Sequence, residues 1–378
     1  MYIPFNKSDI SEIELDLVKK TLLKEKLEGG RSSSSEACIK YLKENFLIQD
    51  CLLTTSCTSA LELSALVLKL NPGDEVILPS YTFVSSANAF VLRGCKPVFV
   101  DIRKEDLNLN LDLVEQAITK KTKALVVIHY GGISCDMKKA KNICKKYNLA
   151  LIEDAAQAVG SKYKDLFLGS IGDMGAYSFH GTKNITCGEG GAILINKKKY
   201  LNKAQIHYEK GTNRLAFSLG KVSKYNWRDI GSSHILSNFS ASLLLGQLRR
   251  EKVINETRMN IWNDYNDFFS SNKSLITKYR ICSVPTYATK HNGHLFFLIF
   301  NNKKMTNNFI KKMREEGCEV SKHYVPLHNS PFGKKVGRVS SSMKVTENAG
   351  DCLVRLPLWP GVEAKKIMLA SSKIINKL

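Results

Sequence analysis

The stretch from Ser178 to Gly191 places one lysine, Lys183, where chemistry at an amine is favoured. An apolar run over 174–179 precedes the lysine, and a glycine-rich turn leads into a second apolar run over 192–195. This order predicts a strand, a turn that carries the lysine, and a second strand. A lysine between buried strands loses its proton readily, and the neutral amine forms a Schiff base with an aldehyde such as pyridoxal phosphate. A solvated loop lysine is the alternative.

A second candidate group lies upstream, at the end of the apolar run 149–154. This run ends in Glu153 and Asp154. Ligands of α/β sheets bind at the carboxyl ends of the strands, so a carboxylate there could keep the pyridine nitrogen of the cofactor protonated. The alternative role for Asp154 is to cap a helix.

Hydroxyl groups suggest a place for the phosphate. Thr58 and Ser59 precede an apolar helical segment, 60–70. The free N–H groups and positive dipole end of a helix N-terminus, together with two hydroxyls, suit a phosphate. An ordinary Ser/Thr cap is the alternative interpretation.

Composition limits the other functions. The chain has 378 residues, which favours two domains, and its net charge of +21 is spread in short groups without a nucleic-acid-binding signature. We therefore expect no nucleic-acid partner and a lysine-rich surface that favours phosphorylated substrates.

The ten cysteines form no CxxC pair, so we expect neither a metal nor a disulfide framework. No apolar run is long enough for a membrane span and no signal peptide is seen, so we expect a cytoplasmic protein without a membrane partner.

The order of elements predicts the fold class. Strands and helices alternate up to Asp154, which predicts an α/β fold with a mainly parallel sheet. A helix is expected over 8–25, with Ser8 as N-cap and an apolar face that includes Leu22 and Leu23, and others over 111–119 and 237–260. The polar segment 210–233 is expected to be a functional loop or a partner contact.

The chain resembles the DegT/DnrJ/StrS-type sugar-nucleotide aminotransferases, which are pyridoxal-phosphate enzymes of fold type I. The resemblance runs over nearly the whole chain, and four motifs match in order and spacing: Pro72-Gly73-Asp74-Glu75-Val76, Pro79-Ser80-Tyr81-Thr82-Phe83-Val84, Glu153-Asp154-Ala155-Ala156-Gln157 and Ser178-Phe179-His180-x-Thr182-Lys183-Asn184. It implies a large domain, 1–248, with a mainly parallel seven-stranded sheet, and a smaller α+β domain, 249–378. It also implies a homodimer with shared active sites.

The same resemblance implies roles for single residues. Lys183 would hold the cofactor and carry a proton, Asp154 would pair with the pyridine nitrogen, and Gln157 would contact the phenolic oxygen of the ring. Phe83 would stack on the ring. Thr58, Ser59 and Ser178 would bind the phosphate, and Ser232 and Ser233 would reach it from the neighbouring subunit. The residues implied in substrate binding are His180, Tyr324 and His328.

Within the family, two further segments are most similar to enzymes that make dTDP-4-amino-4,6-dideoxygalactose for surface polysaccharides such as common antigen. They are residues 224–233 and 323–328. The implied reaction moves an amino group from L-glutamate to a nucleotide-linked 4-keto-6-deoxy sugar. Alternatives are another keto-sugar nucleotide, 3-keto or UDP-linked, and a non-catalytic regulator with the same fold. This chain departs from many relatives at Ser233, where they have Asn, and from close relatives at Gly181, where they have Glu.

Overall fold

A mixed eight-stranded sheet forms the centre of the larger part of the molecule. The computed structural model describes residues 2–24, 27, 29–30, 32–272 and 275–378. Across the sheet the strand order is β1-β9-β8-β5-β4-β2-β3-β12. The strands are β1 (Asp50–Thr54), β2 (Glu75–Pro79), β3 (Lys96–Val100), β4 (Thr122–Ile128), β5 (Ala150–Asp154), β6 (Lys162–Tyr163), β7 (Leu166–Phe167), β8 (Met174–Ser178), β9 (Gly191–Ile195), β10 (Tyr279–Ile281), β11 (Phe296–Phe300), β12 (Arg338–Val339) and β13 (Leu353–Leu356).

Helices cover both faces of this sheet. Val76 and Leu78 of β2 pack into one apolar cluster, and Ile77 between them packs into another, so both faces are buried. The helices are α1 (Glu12–Lys24), α2 (Ser33–Asn45), α3 (Cys57–Val67), α4 (Ser85–Val91), α5 (Met137–Tyr147), α6 (Leu201–Tyr208), α7 (Arg214–Ser218), α8 (Asn238–Arg249), α9 (Glu251–Ser271), α10 (Lys303–Glu315), α11 (Pro331–Val336), α12 (Lys344–Cys352) and α13 (Ala364–Asn376).

The predicted α/β class is confirmed, and the strand count is corrected. Strands β12, β3, β2, β4, β5 and β8 run parallel to one another. At the other edge, β9 pairs antiparallel with both β8 and β1. The expected seven strands become eight because the two-residue strand Arg338–Val339 adds to the edge of β3.

A smaller antiparallel sheet, with strand order β10-β11-β13, has its own apolar cluster. Arg250 separates the end of α8 from the start of α9, so the single helix expected over 237–260 is two helices. The division of the chain into domains 1–248 and 249–378 stays a prediction.

Two other helix predictions differ from the structure. The segment 111–119 forms two short 3₁₀ turns, in which the buried residues Leu111, Val114 and Ala117 recur every third position, the 3₁₀ period. Helix α1 begins at Glu12 rather than after Ser8, because the Ser11 backbone N–H donates to the Glu14 carboxylate at 2.8 Å, one half of a capping box. The last position of that prediction, residue 25, lies outside the described residues.

Helix α1 buries only part of the expected apolar face, at Leu17, which packs against the core. Leu22 and Leu23 are exposed, whereas Glu14 is buried and accepts hydrogen bonds from Gln247 and Arg250 of the α8–α9 junction. No helix within residues 2–24, 32–272 and 275–378 is long and apolar enough to cross a membrane.

Candidate active site

Lys183 lies in the turn of a hairpin formed by β8 and β9, as the sequence predicts. Two backbone bonds continue the ladder beyond the strands, from Phe179 N to Gly190 O at 2.8 Å and from Gly181 N to Gly188 O at 2.7 Å. The Lys183 N–H donates to the His180 carbonyl at 2.9 Å and fixes the turn. The position of the lysine is therefore set by a rigid hydrogen-bonded frame.

The surroundings of Lys183 favour a reactive amine. Its side chain is half-buried, and burial lowers its pKa below the ordinary value, although the nearby Asp154 carboxylate acts in the opposite direction. Within the part of the chain that the structure describes, its Nζ has no hydrogen bond or ion pair. A lysine with a lowered pKa provides the neutral amine that a nucleophile requires.

Asp154 ends strand β5 and lines the same cavity as Lys183. Its carboxylate is buried and accepts hydrogen bonds from Ser86 Oγ at 2.6 Å and from the Ala156 N–H at 3.1 Å. Ser86 is in turn held by Thr82, whose Oγ1 lies 2.8 Å from Ser86 Oγ. Residues 155–161, which directly follow Asp154, form turns and coil rather than a helix, so the helix-cap alternative is wrong.

The N-terminus of α3 lines the same cavity. Ser56 is the helix cap and accepts the Ser59 N–H at 3.0 Å, and Thr58 Oγ1 donates to Ser85 Oγ at 2.7 Å. Ser178 lines the cavity close by. Backbone N–H groups, hydroxyls and the helix dipole together suit a phosphate group.

Ser59 points elsewhere. Its hydroxyl lies 2.6 Å from Nδ1 of His234, and Thr55 N donates to the His234 carbonyl at 2.9 Å. These bonds fasten the C-terminal end of the 210–233 loop to the start of α3. A phosphate contact for the Ser59 side chain stays a prediction.

Phe83 and Gln157 lie in the cavity wall. Phe83 is exposed at 56%, and its ring centroid lies 6.5 Å from that of Tyr324. Gln157 is buried, accepts the Gly131 N–H at 2.7 Å and donates to the Tyr324 hydroxyl at 2.8 Å. Both ends of the Gln157 amide therefore have protein partners, and one of them positions Tyr324.

The remaining predicted site residues do not all line the cavity. His180 lines the cavity, with Nδ1 2.9 Å from Thr182 Oγ1, and Tyr324 lines it as well. His328 instead lies between Ser80 Oγ, at 2.7 Å, and the Glu347 carboxylate. Ser232 and Ser233 are exposed on the surface of the loop.

Two arginines that sequence reasoning missed bring positive charge to the cavity, which has a volume of about 720 Å³. Arg355 donates to the Lys322 carbonyl at 2.8 Å, and buried Arg258 donates to the His294 carbonyl at 2.9 Å. Neither forms an ion pair with a described carboxylate, and burial lowers the pKa of Arg258 to about 9. A buried cation without an acidic partner is stabilised by a bound anion.

Two histidines were missed as well. Burial lowers the pKa values of His294 and His323 well below the ordinary value, so both are neutral near pH 7. His323 Nδ1 lies 2.7 Å from the Tyr130 hydroxyl, and its ring stacks on Tyr324 at 3.6 Å. His323 begins the segment 323–328 noted in the sequence, whereas Arg258 resembles any helix-surface arginine there.

These residues fit pyridoxal phosphate. Lys183 offers the amine, Asp154 a buried carboxylate with spare acceptor capacity, and the start of α3 an anion site, all in one cavity. The fit depends on a glycine: a Cβ at Gly191 would lie 2.4 Å from the Cys57 backbone nitrogen, so β9 approaches α3 only without a side chain there.

Comparisons with known proteins agree with this geometry. Residues 9–374 match the model of the DegT/DnrJ/EryC1/StrS aminotransferase family. The uncharacterized protein MJ1066 of Methanocaldococcus jannaschii is 33% identical over 390 residues, covering 100% of this chain and 98% of that protein. The spore coat polysaccharide biosynthesis protein SpsC of Bacillus subtilis is 30% identical over 372 residues, covering 96% of this chain and 93% of SpsC.

A solved structure gives the same result. Spr1654 from Streptococcus pneumoniae, provisionally assigned as a sugar aminotransferase, superimposes in its PLP form with a TM-score of 0.90 at 26% identity, covering 100% of this chain and 99% of that one.

Proposed function

We propose a reaction for this chain from the premise that it belongs to the DegT/DnrJ/EryC1/StrS aminotransferase family. It is an aminotransferase, and its cofactor is pyridoxal phosphate. The proposed donor is L-glutamate, and the proposed acceptor is C4 of the 4-keto-6-deoxy sugar of dTDP-4-dehydro-6-deoxy-D-glucose. The product would be dTDP-4-amino-4,6-dideoxy-D-galactose, for the synthesis of a surface polysaccharide. The polysaccharide role named for SpsC supports this assignment.

The observation that carries the proposal is the placement of Lys183 and Asp154 in one cavity with two arginines that have no described carboxylate partner. When bound, pyridoxal phosphate supplies an electron sink for the negative charge that develops at the substrate carbon. Asp154 holds a proton at the pyridine nitrogen, and Ser86 orients the carboxylate. Lys183 moves a proton at the substrate carbon as general base and acid. Arg258 and Arg355 favour substrates that carry carboxylate or phosphate groups.

We further propose that the active sites are shared within a homodimer. The loop 210–233 exposes large apolar side chains, among them Trp227 at 79% and Tyr225 at 51%, which are residue types enriched in interfaces. The same loop carries Ser232 and Ser233, which are exposed and away from the cavity of their own chain. In a dimer they would reach the phosphate of the neighbouring subunit.

The first test is spectroscopic. The absorption band of the bound cofactor should shift when L-glutamate is added to the wild type and should not shift in Lys183→Ala, which loses both the anchor and the proton carrier. We expect turnover of Lys183→Ala to fall by at least about 100-fold. The exposed lysine variant Lys198→Ala is the matched control and should behave as the wild type.

The second test concerns the sugar. Turnover should be measured with a panel of keto-sugar nucleotides that includes 3-keto and UDP-linked sugars. The proposed acceptor predicts the largest kcat/KM for the dTDP-linked 4-keto-6-deoxy sugar. If L-glutamate shifts the spectrum but another sugar gives the largest kcat/KM, the aminotransferase assignment stands and the proposed acceptor sugar is wrong.

A further inference from the structure

An apolar groove of about 330 Å³ runs beside the active-site cavity. One wall comes from α4, a second from the start of β3, and a third from the segment 325–336. The groove and the cavity share four lining residues: Thr82, Phe83, His323 and Tyr324. The two concavities are therefore adjacent and share this wall.

The rim of the groove is apolar and exposed. Val84 is 53% exposed, Val325 70% and Phe332 55%. Large apolar side chains that stay in contact with water around a concavity indicate a binding surface. Phe83 and Phe332 supply aromatic rings on which a flat ring can stack.

Asn88 provides a polar group on the α4 wall. Its side chain is half-buried, and among the residues that the structure describes the amide forms no hydrogen bond. An amide presents one donor and one acceptor side by side. The imide edge of uracil or thymine, with an N–H next to a carbonyl, is complementary to that pair.

We propose that this groove binds the pyrimidine base of the nucleotide-sugar substrate, with the Asn88 amide paired to the imide edge of uracil or thymine. The proposal rests on the proposed function, because it assumes an acceptor whose sugar reaches Lys183. The nucleotide would pass over the shared wall at Phe83 and Tyr324. Aromatic rings and apolar side chains would bury the faces of the base, and the Asn88 amide would orient the base through its imide edge.

The experiment measures binding of UDP and dTDP to the cofactor-loaded protein by calorimetry. Val91→Trp fills the groove and should weaken UDP and dTDP binding at least about tenfold. Leu92→Trp is the matched control, because Leu92 is its exposed neighbour and does not line the groove. Asn88→Ala removes two hydrogen bonds and should weaken UDP and dTDP binding by about tenfold.

The glutamate-dependent spectral shift separates the two proposals. It should persist in all three variants, since the groove lies outside the donor reaction, and its absence in the wild type would remove the proposed function itself. A persistent shift together with unchanged UDP and dTDP affinity in Asn88→Ala overturns the groove proposal alone. A Val91→Trp protein that binds UDP normally but changes its mass by light scattering would show that the groove is a contact between two copies, and would also overturn it.

Discussion

At the scale of residues, two adjacent carboxylates on β5 lie in different surroundings. Glu153 is fully buried and accepts the N–H groups of Gly169, Ile171 and Gly172 at 2.6 to 2.9 Å, and its Oε2 lies 3.0 Å from His129 Nε2. Asp154 faces the cavity. Successive side chains of a strand point to opposite sides, so one acid bonds to the protein backbone while the next faces the cavity, where we propose that it pairs with the cofactor.

This division predicts different phenotypes for two similar substitutions. Asp154→Asn should lower kcat by about 10- to 150-fold, the factor that corresponds to losing a charged hydrogen bond, with little change in melting temperature. Glu153→Gln should lower the free energy of unfolding by about 3 kcal/mol and leave kcat of the folded protein nearly unchanged. Turnover and thermal unfolding of both variants decide the matter. Equal losses of activity would show that the two acids are not separated in this way.

A buried histidine gives a pH prediction. His291 packs edge-on against Trp262, and burial lowers its pKa to about 4. The unfolded chain takes up this proton near pH 6.5, before the folded protein does, so stability is full above that pH and falls by about 3 kcal/mol between pH 6.5 and 4. His291→Asn keeps an acceptor for the Gly293 N–H but cannot titrate.

Urea unfolding at a series of pH values measures this effect. The stability of His291→Asn should fall less steeply below pH 6.5 than that of the wild type. Parallel curves for the two proteins would mean that His291 does not contribute to acid sensitivity.

At the scale of elements, the hairpin β8–β9 and helix α3 must approach closely to form the site. Gly191→Ala should cost about 1–3 kcal/mol and weaken cofactor binding, because the added Cβ lies 2.4 Å from the Cys57 nitrogen. Gly181→Ala is the matched control in the same hairpin. The added Cβ there meets only the Gly188 carbonyl at 3.8 Å, so stability should change by less than about 0.5 kcal/mol.

Cofactor titration and thermal unfolding of the two glycine variants test this difference. The close packing of β9 on α3 would be unimportant for the site if Gly191→Ala bound pyridoxal phosphate as tightly as Gly181→Ala did.

At the scale of the whole molecule, the proposed shared site predicts complementation. Lys183→Ala lacks the amine, and a variant with bulky residues at Gly231, Ser232 and Ser233 lacks the loop contact. Each should be inactive alone. In a heterodimer, one of the two sites combines an intact lysine with an intact partner loop, so the mixture refolded together should recover activity.

Activity and mass of the refolded mixture are both required. Heterodimers that form and stay inactive would contradict the shared site, and so would a wild type that is fully active as a monomer by light scattering. The loop variant refolded by itself is the control, because it reports how much activity returns without a partner lysine.

The sequence alone determined the parts of this protein that depend on local order. The strand, turn and strand around Lys183 and the strand that ends at Asp154 follow from apolar runs and glycine turns, and the α/β class follows from the alternation of elements. These patterns are local because hydrogen bonding within a hairpin and burial along a strand involve neighbouring residues. The family resemblance then assigned the aminotransferase chemistry.

Only the tertiary structure decided which distant side chains share the cavity. Arg258 and Arg355 come from α9 and β13, far from Lys183 in the chain, and their positions depend on how the small sheet packs against the large one. The Ser59 hydroxyl bonds to His234 for the same reason. Helical spacing predicts which side of a helix a residue lies on, but it does not predict which distant residue packs against that side. In α1 the apolar pattern does not give the whole buried face, because Glu14 is buried and accepts hydrogen bonds from Arg250 and Gln247, which are distant in the chain.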